Sequence, residues 1–327
     1  MSAPGAADSP RGLVTLGETM GLLNPTDIGP LHHAPAFRMT VAGSESNVAI
    51  AARRLGVPAT WIGKVGADDV GDLIERELRA EDVRTLRLRA PDAPTGLMLK
   101  TRRVGQMTSV TYYRTNSAGA QLEPADLDEE LIASAAVLHL TGITPALGPG
   151  PAAAVRAAID IAHAHDVPVS FDVNYRARLW SAREAGAVLR DLVKQVDVLF
   201  AGEEEAALLS ADTGRAAPTP DELAREVAEL GPGQVVIKRG ARGCVALVDG
   251  HWHHLEALKV HSVDPVGAGD AFVGGYLAEL VSGRDAATRL TTATAAGAFA
   301  VTVAGDWEGL PHRHELALLT NTDDVVR

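Results

Sequence analysis

The sequence predicts an α/β protein in which a doubly wound, mostly parallel sheet lies between two layers of helices. Short apolar runs alternate with helical stretches over most of the 327 residues, and this alternation is typical of βαβ units. Apolar residues make up 46% of the chain and aromatic residues only 4%. Ala, Val, Leu and Gly dominate the composition, and such a composition favours buried parallel strands covered by helices.

The elements of this sheet can be placed in order along the chain, because short apolar runs bounded by small or polar residues indicate strands. Strands are predicted at Leu13–Leu16, Thr60–Val65, Val137–Leu140, Val167–Asp172, Val196–Phe200 and Val235–Lys238, followed by a hairpin at Cys244–Val248 and Trp252–His254. Helices are predicted at Asn47–Leu55, Val70–Ala80, Ala152–Ala164, Ala182–Val193, Glu203–Leu209, Pro220–Leu230, Ala268–Leu280 and Ala286–Val301. Gly56 and Pro58 stop the first of these helices.

One region, 85–116, departs from the alternation of strands and helices because it has strands without a helix between them. Leu97–Thr101 and Ser109–Tyr113 alternate like paired strands around a turn at Gly105. With part of 20–42, this region is predicted to form a small β-sheet lid over the main domain. Exposed edge strands of such a lid often pair between subunits, so a homo-oligomer formed through the lid is expected.

Charge and composition exclude several classes of protein. The net charge of −12 argues against a general nucleic-acid or membrane-surface binder. No run of 18 apolar residues is present, so no transmembrane span is expected. The single cysteine, Cys244, excludes an intramolecular disulfide and indicates a reducing cytoplasm. Residues 1–10 lack the apolar segment of a signal peptide and are predicted to be a flexible tail before one domain over 11–327.

The chemistry of the chain is concentrated in residues 264–275, which read DPVGAGDAFVGG. Gly267, Ala268 and Gly269 stand where a helix begins, and free backbone N–H groups at that position bind anions. An acid in the first turn, Asp270, would repel a phosphate unless it accepts a proton from the group that attacks it. The P-loop and dinucleotide-binding glycine motifs are absent. The segment therefore predicts a phosphoryl-transfer centre at the start of this helix.

Two further glycine-containing segments are candidates for binding. KRGARG at 238–243 follows a strand, where it is either a nucleotide loop or a plain turn with solvated charges, and the ligand-binding edge of a parallel sheet favours the loop. AGSESN at 42–47 precedes a helix. Gly43 there allows close substrate approach, and Asn47 can bind sugar hydroxyls or simply cap the helix.

Arginines in two other segments bear on the substrate. Tyr112 and Arg114 point to one side of a lid strand, while Arg176 follows a strand of the main sheet. If both arginines reach one pocket, they favour a substrate that carries a carboxylate or a phosphate; alone, each is an ordinary solvated side chain.

Ala42–Gly56 and Asp264–Gly275 are similar to the two signatures of the ribokinase-like (phosphofructokinase-B) sugar kinase family, and the resemblance covers nearly the whole chain. Within the family, the chain is most similar to kinases of 2-keto-3-deoxygluconate. That closer resemblance is carried by TYYRTNSAGAQL (111–122), FDVNYRARLW (171–180), EEEAALL (203–209), KRGARG (238–243) and VTVAGDWEGLP (301–311).

The resemblance implies a ribokinase-like three-layer fold and transfer of the γ-phosphoryl group of ATP to the terminal primary hydroxyl of that sugar acid. It also implies Mg²⁺ and leaves a potassium ion open. Asp270 would be the catalytic base, beside an anion hole made by Gly267, Ala268 and Gly269. The sugar acid would contact Gly43, Asn47, Met98, Tyr112, Arg114, Arg176 and Asp306. The nucleotide would lie against Asn174, Arg176, Gly202, Lys238, Arg239, Gly240, Ala241, Arg242, Gly243, Gly267, Gly269 and Thr294. Glu205 would help to hold Mg²⁺ through water.

Two positions depart from the pattern. Met98 stands where the closer relatives often have tyrosine, which bears on the substrate, and Gly202 stands where asparagine often precedes the acidic run.

Three alternative functions stay open. One is a kinase of fructose, ribose or another keto acid, and another is a non-catalytic sugar-binding regulator on the same scaffold. The third is a nicotinamide-dependent oxidoreductase, against which the missing glycine motif argues.

Overall fold

A computed structural model describes residues 11–34, 36–104, 107–210 and 218–320. In this part of the chain the strands are β1 (Leu13–Leu16), β2 (Met20–Pro25), β3 (Phe37–Ala42), β4 (Ala59–Gly66), β5 (Arg84–Ala90), β6 (Leu97–Val104), β7 (Met107–Tyr113), β8 (Val137–Thr141), β9 (Val169–Asp172), β10 (Val198–Gly202), β11 (Gln234–Lys238), β12 (Cys244–Val248) and β13 (His251–Leu255). The α-helices are α1 (Ser44–Arg54), α2 (Asp69–Ala80), α3 (Glu129–Ala133), α4 (Pro149–Ala164), α5 (Ala182–Val193), α6 (Glu203–Leu209), α7 (Pro220–Ala228), α8 (Ala268–Val281) and α9 (Ala286–Ala300).

The larger sheet has nine strands in the order β13-β12-β11-β10-β9-β8-β1-β4-β5. All neighbours from β5 to β11 are parallel, and the hairpin β11-β12-β13 ends the sheet with antiparallel pairs. The chain starts at β1 in the middle and builds outward in both directions, so the strand order reverses next to β1. The predicted doubly wound, mostly parallel sheet is confirmed, and ligands of such sheets collect at the carboxyl ends of the strands near this reversal.

Helices cover both faces of this sheet, as the alternation of elements predicts. One apolar cluster joins α1, α2, α8 and α9 to one face, and a second joins α3 to α7 to the other. Within the first layer, α8 is packed tightly on two sides. A Cβ at Gly274 would lie 2.4 Å from the Cβ of Ala51 in α1, and one at Gly275 would lie 3.0 Å from the Cα of Ala293 in α9. Only glycine therefore lets α1 and α9 approach α8 this closely.

The smaller sheet has four strands in the order β3-β2-β6-β7 and is called the small sheet below. The predicted hairpin is present as the antiparallel pair β6-β7. The turn predicted at Gly105 and the tail predicted at residues 1–10 lie outside the described residues.

One boundary of the predicted lid was wrong: the segment 85–90 belongs to the larger sheet. It forms β5, which pairs in parallel with β4 at the sheet edge. Leu86 and Leu88 pack against the second apolar cluster, while arginines alternate with them. An edge strand with one covered face shows the same alternation as a hairpin strand, so the pattern did not separate the two. Within the described residues, no helix is long and apolar enough to cross a membrane.

Candidate active site

The carboxyl ends of the parallel strands bring together residues that lie far apart in sequence. Thr141 of β8 is in register with Asp172 of β9, and Gly202 of β10 is in register with Lys238 of β11. A cavity of about 380 Å³ lies between this edge and the small sheet. The predicted residues that line it are Gly43, Asn47, Met98, Tyr112, Arg114, Asn174, Arg176, Glu205, Lys238, Gly267, Gly269, Asp270 and Asp306.

Asp270 lies in the first turn of α8 and is held from the start of α1. Ser44 Oγ donates to Asp270 Oδ1 at 2.7 Å, and Asn47 Nδ2 donates to Oδ2 at 2.8 Å. Asn174 Nδ2 in turn donates to Ser44 Oγ at 2.8 Å. Burial raises the pKa of Asp270, and these hydrogen bonds with the positive charges of Arg176 and Lys238 only partly oppose the shift. The carboxylate is thus oriented and made more basic, as a general base requires.

The anion hole predicted at the start of α8 depends on the conformation of Gly267. This residue is the N-cap of α8 and has a left-handed φ of 80°. A Cβ here would lie 1.9 Å from the carbonyl oxygen of Asp306, so no side chain fits. A Cβ at Gly269 would lie 3.5 Å from Lys238 Nζ. The helix N-terminus and an ammonium group therefore meet at one place, which is suited to a phosphate.

Lys238 is held at this place by Asp172, a residue that the sequence did not single out. Lys238 Nζ lies 2.8 Å from Asp172 Oδ1 and 2.6 Å from Oδ2. Burial raises the pKa of Asp172 to about 6, although Lys238 opposes the shift. Burial alone would lower the pKa of Lys238, but the carboxylates of Asp172, Glu205 and Asp270 outweigh it and the pKa is raised. Lys238 therefore carries its charge at neutral pH.

The two predicted arginines both reach the cavity, but in different states. Arg114 forms a buried ion pair with Glu18 and lies over the ring of Tyr112, 5.7 Å from its centroid. Glu18 also accepts a short hydrogen bond from Ser117. Arg176 is exposed, and among the described residues no hydrogen bond or ion pair engages its side chain; only its backbone carbonyl accepts, from the Leu179 N–H. Part of the Arg114 guanidinium is therefore already used by the protein, whereas Arg176 keeps its donors for a ligand.

A second cavity, of about 500 Å³, adjoins the first and contains most of the predicted nucleotide loop. The two share Lys238, Pro265 and Gly269, so they meet at the anion hole. Its lining includes Gly240, Ala241, Gly243 and Thr294 and the apolar side chains of Leu258, Val260, Phe272 and Val301. A largely apolar slot beside a phosphate site suits a purine base. Three predicted nucleotide residues, Gly202, Arg239 and Arg242, line neither cavity.

The arginines of the loop bind the protein itself. Arg239 Nε lies 2.7 Å from Glu203 Oε1, and Arg242 Nη2 lies 2.9 Å from Glu203 Oε2. These pairs tie the loop to the start of α6. Their predicted contact with the nucleotide stays a prediction.

Glu205, the predicted magnesium residue, lines the first cavity with both oxygens engaged. Its Oε2 accepts from the Gly202 N–H at 2.6 Å, and its Oε1 accepts from the Tyr175 N–H at 2.9 Å. The described residues contain no group of three His, Cys, Asp or Glu side chains that could hold a metal alone. This donor set fits Mg²⁺, which keeps several waters and binds through one or two carboxylates together with substrate phosphates.

Asp306, predicted to contact the sugar, lines the cavity but is engaged with Lys100. Its Oδ1 lies 2.5 Å from Lys100 Nζ, and its side chain is buried. Burial raises the pKa of Asp306 to about 6, and Lys100 opposes the shift. Lys100, like Asp172 and Glu18, gave no signal in the sequence, because each is recognised only by its partner in space.

A buried acid beside the site, Glu45, predicts an unusual pH dependence of stability. Its Oε1 accepts hydrogen bonds from Thr141 at 2.6 Å and Thr144 at 2.8 Å, and burial raises its pKa from 4.5 to about 7. The folded state then binds a proton that the unfolded state releases, so stability falls as pH rises from 4.5 to 7. At roughly 1.4 kcal/mol per pKa unit, the loss is about 3 kcal/mol.

Glu45→Gln is expected to remove this slope, and denaturant unfolding at pH 5, 6, 7 and 8 measures it. The variant should gain stability relative to wild type as pH rises, with no difference below pH 4.5. Glu130→Gln, at an exposed position in α3, is the control and should follow the wild-type curve. Parallel curves for Glu45→Gln and wild type would contradict the prediction.

Comparison with known proteins identifies the family. Residues 11–313 match the pfkB family of carbohydrate kinases. The 2-dehydro-3-deoxygluconokinase of Thermoproteus tenax is 38% identical with 94% of each chain covered, and that of Bacillus subtilis is 35% identical with 96% covered. The solved 2-dehydro-3-deoxygluconokinase of Thermotoga maritima has a TM-score of 0.86 at 29% identity, over 94% of this chain and 99% of that chain.

A ribokinase II-type protein of E. coli, in complex with ATP and Mg²⁺, has a TM-score of 0.87 at 28% identity, over 95% of this chain and 99% of that chain. The matched residues 11–313 include all strands of both sheets and the residues that line both cavities. The chain therefore belongs to the pfkB family of carbohydrate kinases.

Proposed function

We propose that this chain is a 2-dehydro-3-deoxygluconokinase, which transfers the γ-phosphoryl group of ATP to the terminal primary hydroxyl of 2-keto-3-deoxygluconate, the same sugar acid under another name. The observation that carries the proposal is the meeting of Asp270, the start of α8 and two arginines in one cavity. Two curated relatives with that activity, at 38% and 35% identity, support it.

The geometry suggests how each group contributes to the transfer. The sugar hydroxyl would donate its hydrogen bond to Asp270, while the γ-phosphate would lie against Gly267–Gly269 and Lys238. Phosphoryl transfer has a loose transition state, so positioning and charge neutralisation supply most of the catalysis. Asp270 orients the hydroxyl and accepts its proton late. Glu205 would help to hold Mg²⁺ through water, and the bound ion would offset negative charge on the phosphates.

The lining of the sugar cavity favours a deoxy sugar acid. Arg114 and Arg176 offer N–H donors to a carboxylate, for which a neutral sugar has no equivalent. Met20, Met98 and Val110 form an apolar side of the same cavity, and both methionines are buried. A carbon without a hydroxyl can pack there without leaving a polar group unpaired. Met98 thus presents an apolar surface, whereas a tyrosine at this position would bring a hydroxyl that needs a hydrogen-bond partner.

The test is a coupled assay of ADP release with 2-keto-3-deoxygluconate, fructose, ribose and gluconate. We expect kcat/KM for the keto-deoxy acid to exceed that for each other sugar by about 100-fold or more. A higher value for fructose or ribose would assign the chain to another sugar. Measured sugar binding without ADP release would favour the non-catalytic regulator. Adding 2-keto-3-deoxygalactonate tests the activity of a relative from Haloferax volcanii that is 35% identical.

Arg114→Lys tests the acid group of the substrate. Lysine keeps a positive charge beside the buried Glu18 but lacks the planar fork that binds a carboxylate. We expect KM for the keto-deoxy acid to rise about tenfold, with fructose turnover changed less than about threefold. Arg178→Lys is the matched control, since Arg178 also contacts β7, donating to the Val110 carbonyl at 2.5 Å. Equal losses on the acid and the neutral sugar would contradict the assignment.

The cytoplasmic location and the homo-oligomer stay predictions. The small sheet supports the latter with large apolar side chains on its surface, namely Phe37, Met39 and Tyr113, of which 42%, 42% and 63% are exposed. A second copy of the chain is the partner that such a surface would bury.

A further inference from the structure

A buried lysine joins the small sheet to the anion hole. Lys100 lies in β6 and is fully buried, and its Nζ lies 3.0 Å from Asp264 Oδ2 and 2.5 Å from Asp306 Oδ1. Both carboxylates are buried as well. Three segments that are distant in sequence therefore meet at one ammonium group.

The carboxylate of Asp264 and the backbone of Asp306 both contact the chain around the anion hole. Asp264 Oδ1 accepts from the Val266 N–H at 3.2 Å, one residue before Gly267, and its Oδ2 lies 3.4 Å from the Gly305 nitrogen. Gly267 in turn packs against the Asp306 carbonyl. A change in the position of the Asp264 carboxylate, or of the backbone at Asp306, would therefore move the N-terminus of α8.

These carboxylates need a cation to stay together. Two buried negative charges repel each other and lose their hydration, and one ammonium within hydrogen-bond reach of both offsets part of that penalty. Burial raises the pKa of Asp306 even with Lys100 beside it, so charge on this carboxylate is disfavoured without a cation. The cation at this point comes from the chain itself.

We propose that Lys100 is a positioning residue whose ammonium group serves as the built-in cation of the anion hole, so that the kinase needs no added monovalent cation. The inference rests on phosphoryl transfer at the proposed site but not on the identity of the sugar. In this proposal the side chain of Lys100 takes the role that a bound potassium ion would otherwise have.

The position of Lys100 also ties this role to the sugar. Met98 lies two residues earlier on the same face of β6 and lines the sugar cavity. A sugar that packs against Met98 therefore contacts the strand that carries the cation. Strand β6 thus carries both a residue of the sugar cavity and the cation beside the anion hole.

The test compares Lys100→Met with Lys64→Met, using whichever sugar of the assay above turns over fastest. Lys64 is a matched control because its Nζ lies 2.6 Å from Asp126 Oδ2, in an ion pair away from the cavity. For Lys100→Met we expect kcat to fall by about 100-fold or more and KM to change less than about threefold, with at least about tenfold recovery in potassium or ammonium chloride. Lys64→Met should keep kcat within about threefold.

Retention of kcat in Lys100→Met would overturn the positioning role, and a loss that neither cation restores would overturn the cation role. If circular dichroism shows that this variant does not fold, the wild-type enzyme still decides. Its rate should be the same in potassium chloride and in tetramethylammonium chloride, and activation by potassium of about fivefold or more would refute the proposal. Since any sugar that turns over serves, failure of the 2-keto-3-deoxygluconate assignment leaves this test intact.

Discussion

Asp270→Asn is expected to lower kcat by about 10³-fold or more while the protein stays folded. Asparagine has nearly the same shape, but it cannot accept the proton of the sugar hydroxyl. One of its atoms would also be an NH₂ group facing Ser44 or Asn47, both of which donate to Asp270 in the wild type. The measurement is steady-state ADP release, with thermal unfolding as the check on folding.

The control for this substitution removes a carboxylate without touching the cavity. Asp285 is the N-cap of α9 and accepts the Thr288 N–H at 2.7 Å, a role that asparagine also fills well. Asp285→Asn should therefore keep kcat within about twofold. If Asp270→Asn retains more than about a tenth of the wild-type kcat, Asp270 is not the general base.

Gly267→Ala is expected to have the second largest effect, lowering kcat by about 100-fold or more and the unfolding free energy by several kcal/mol. The added Cβ would lie 1.9 Å from the Asp306 carbonyl oxygen, at a left-handed φ that disfavours alanine as well. The backbone must shift, and the first N–H groups of α8 move with it. ADP release and denaturant unfolding measure the two effects.

The same helix provides the matched control. Gly283 follows the C-terminus of α8, has a φ of 69° and has open space around its Cβ position. Gly283→Ala should therefore lose only about 1 kcal/mol, the penalty of a left-handed alanine, and keep its kcat. If the two variants behave alike, the contact with Asp306 does not shape the anion hole.

The parts of the fold and site that the sequence predicts well are those set by local pattern. Three features each follow from patterns within a short stretch of sequence. They are the start of α8, the individual parallel strands and the pairing of β6 with β7. The match over residues 11–313 confirms the predicted family. Helix starts were less well placed. α1 begins at Ser44 and α4 at Pro149, each three residues before the predicted start, because Gly43, Gly148 and Pro149 belong to the helix ends rather than to loops.

What the sequence did not predict depends on partners brought together by the tertiary fold. The β5 strand has the pattern of a hairpin strand until its neighbour β4 is known. Arg114 was expected to be free for the substrate, but it shares a buried ion pair with Glu18. Lys100 is one of five lysines in the sequence, and its role shows only when Asp264 and Asp306 are seen on either side of it. The ion pairs of Arg114 and Lys100 join positions separated by about a hundred residues or more, and no spacing rule reaches that far.

The tight packing of α8 against α1 separates residues that must keep their positions for the reaction from residues that can be substituted. Because Gly274 locks α8 onto α1, the phosphate-binding turn and the residues that orient Asp270 form one rigid body. Substitutions within this rigid body would disturb the groups that carry out phosphoryl transfer. Met98 of β6, Tyr112 of β7 and Arg114 directly after β7 take no part in this contact between α8 and α1. Preference for a new sugar can therefore arise by changes at these three positions, and the chemistry is inherited unchanged as long as Lys100 of the same sheet is kept.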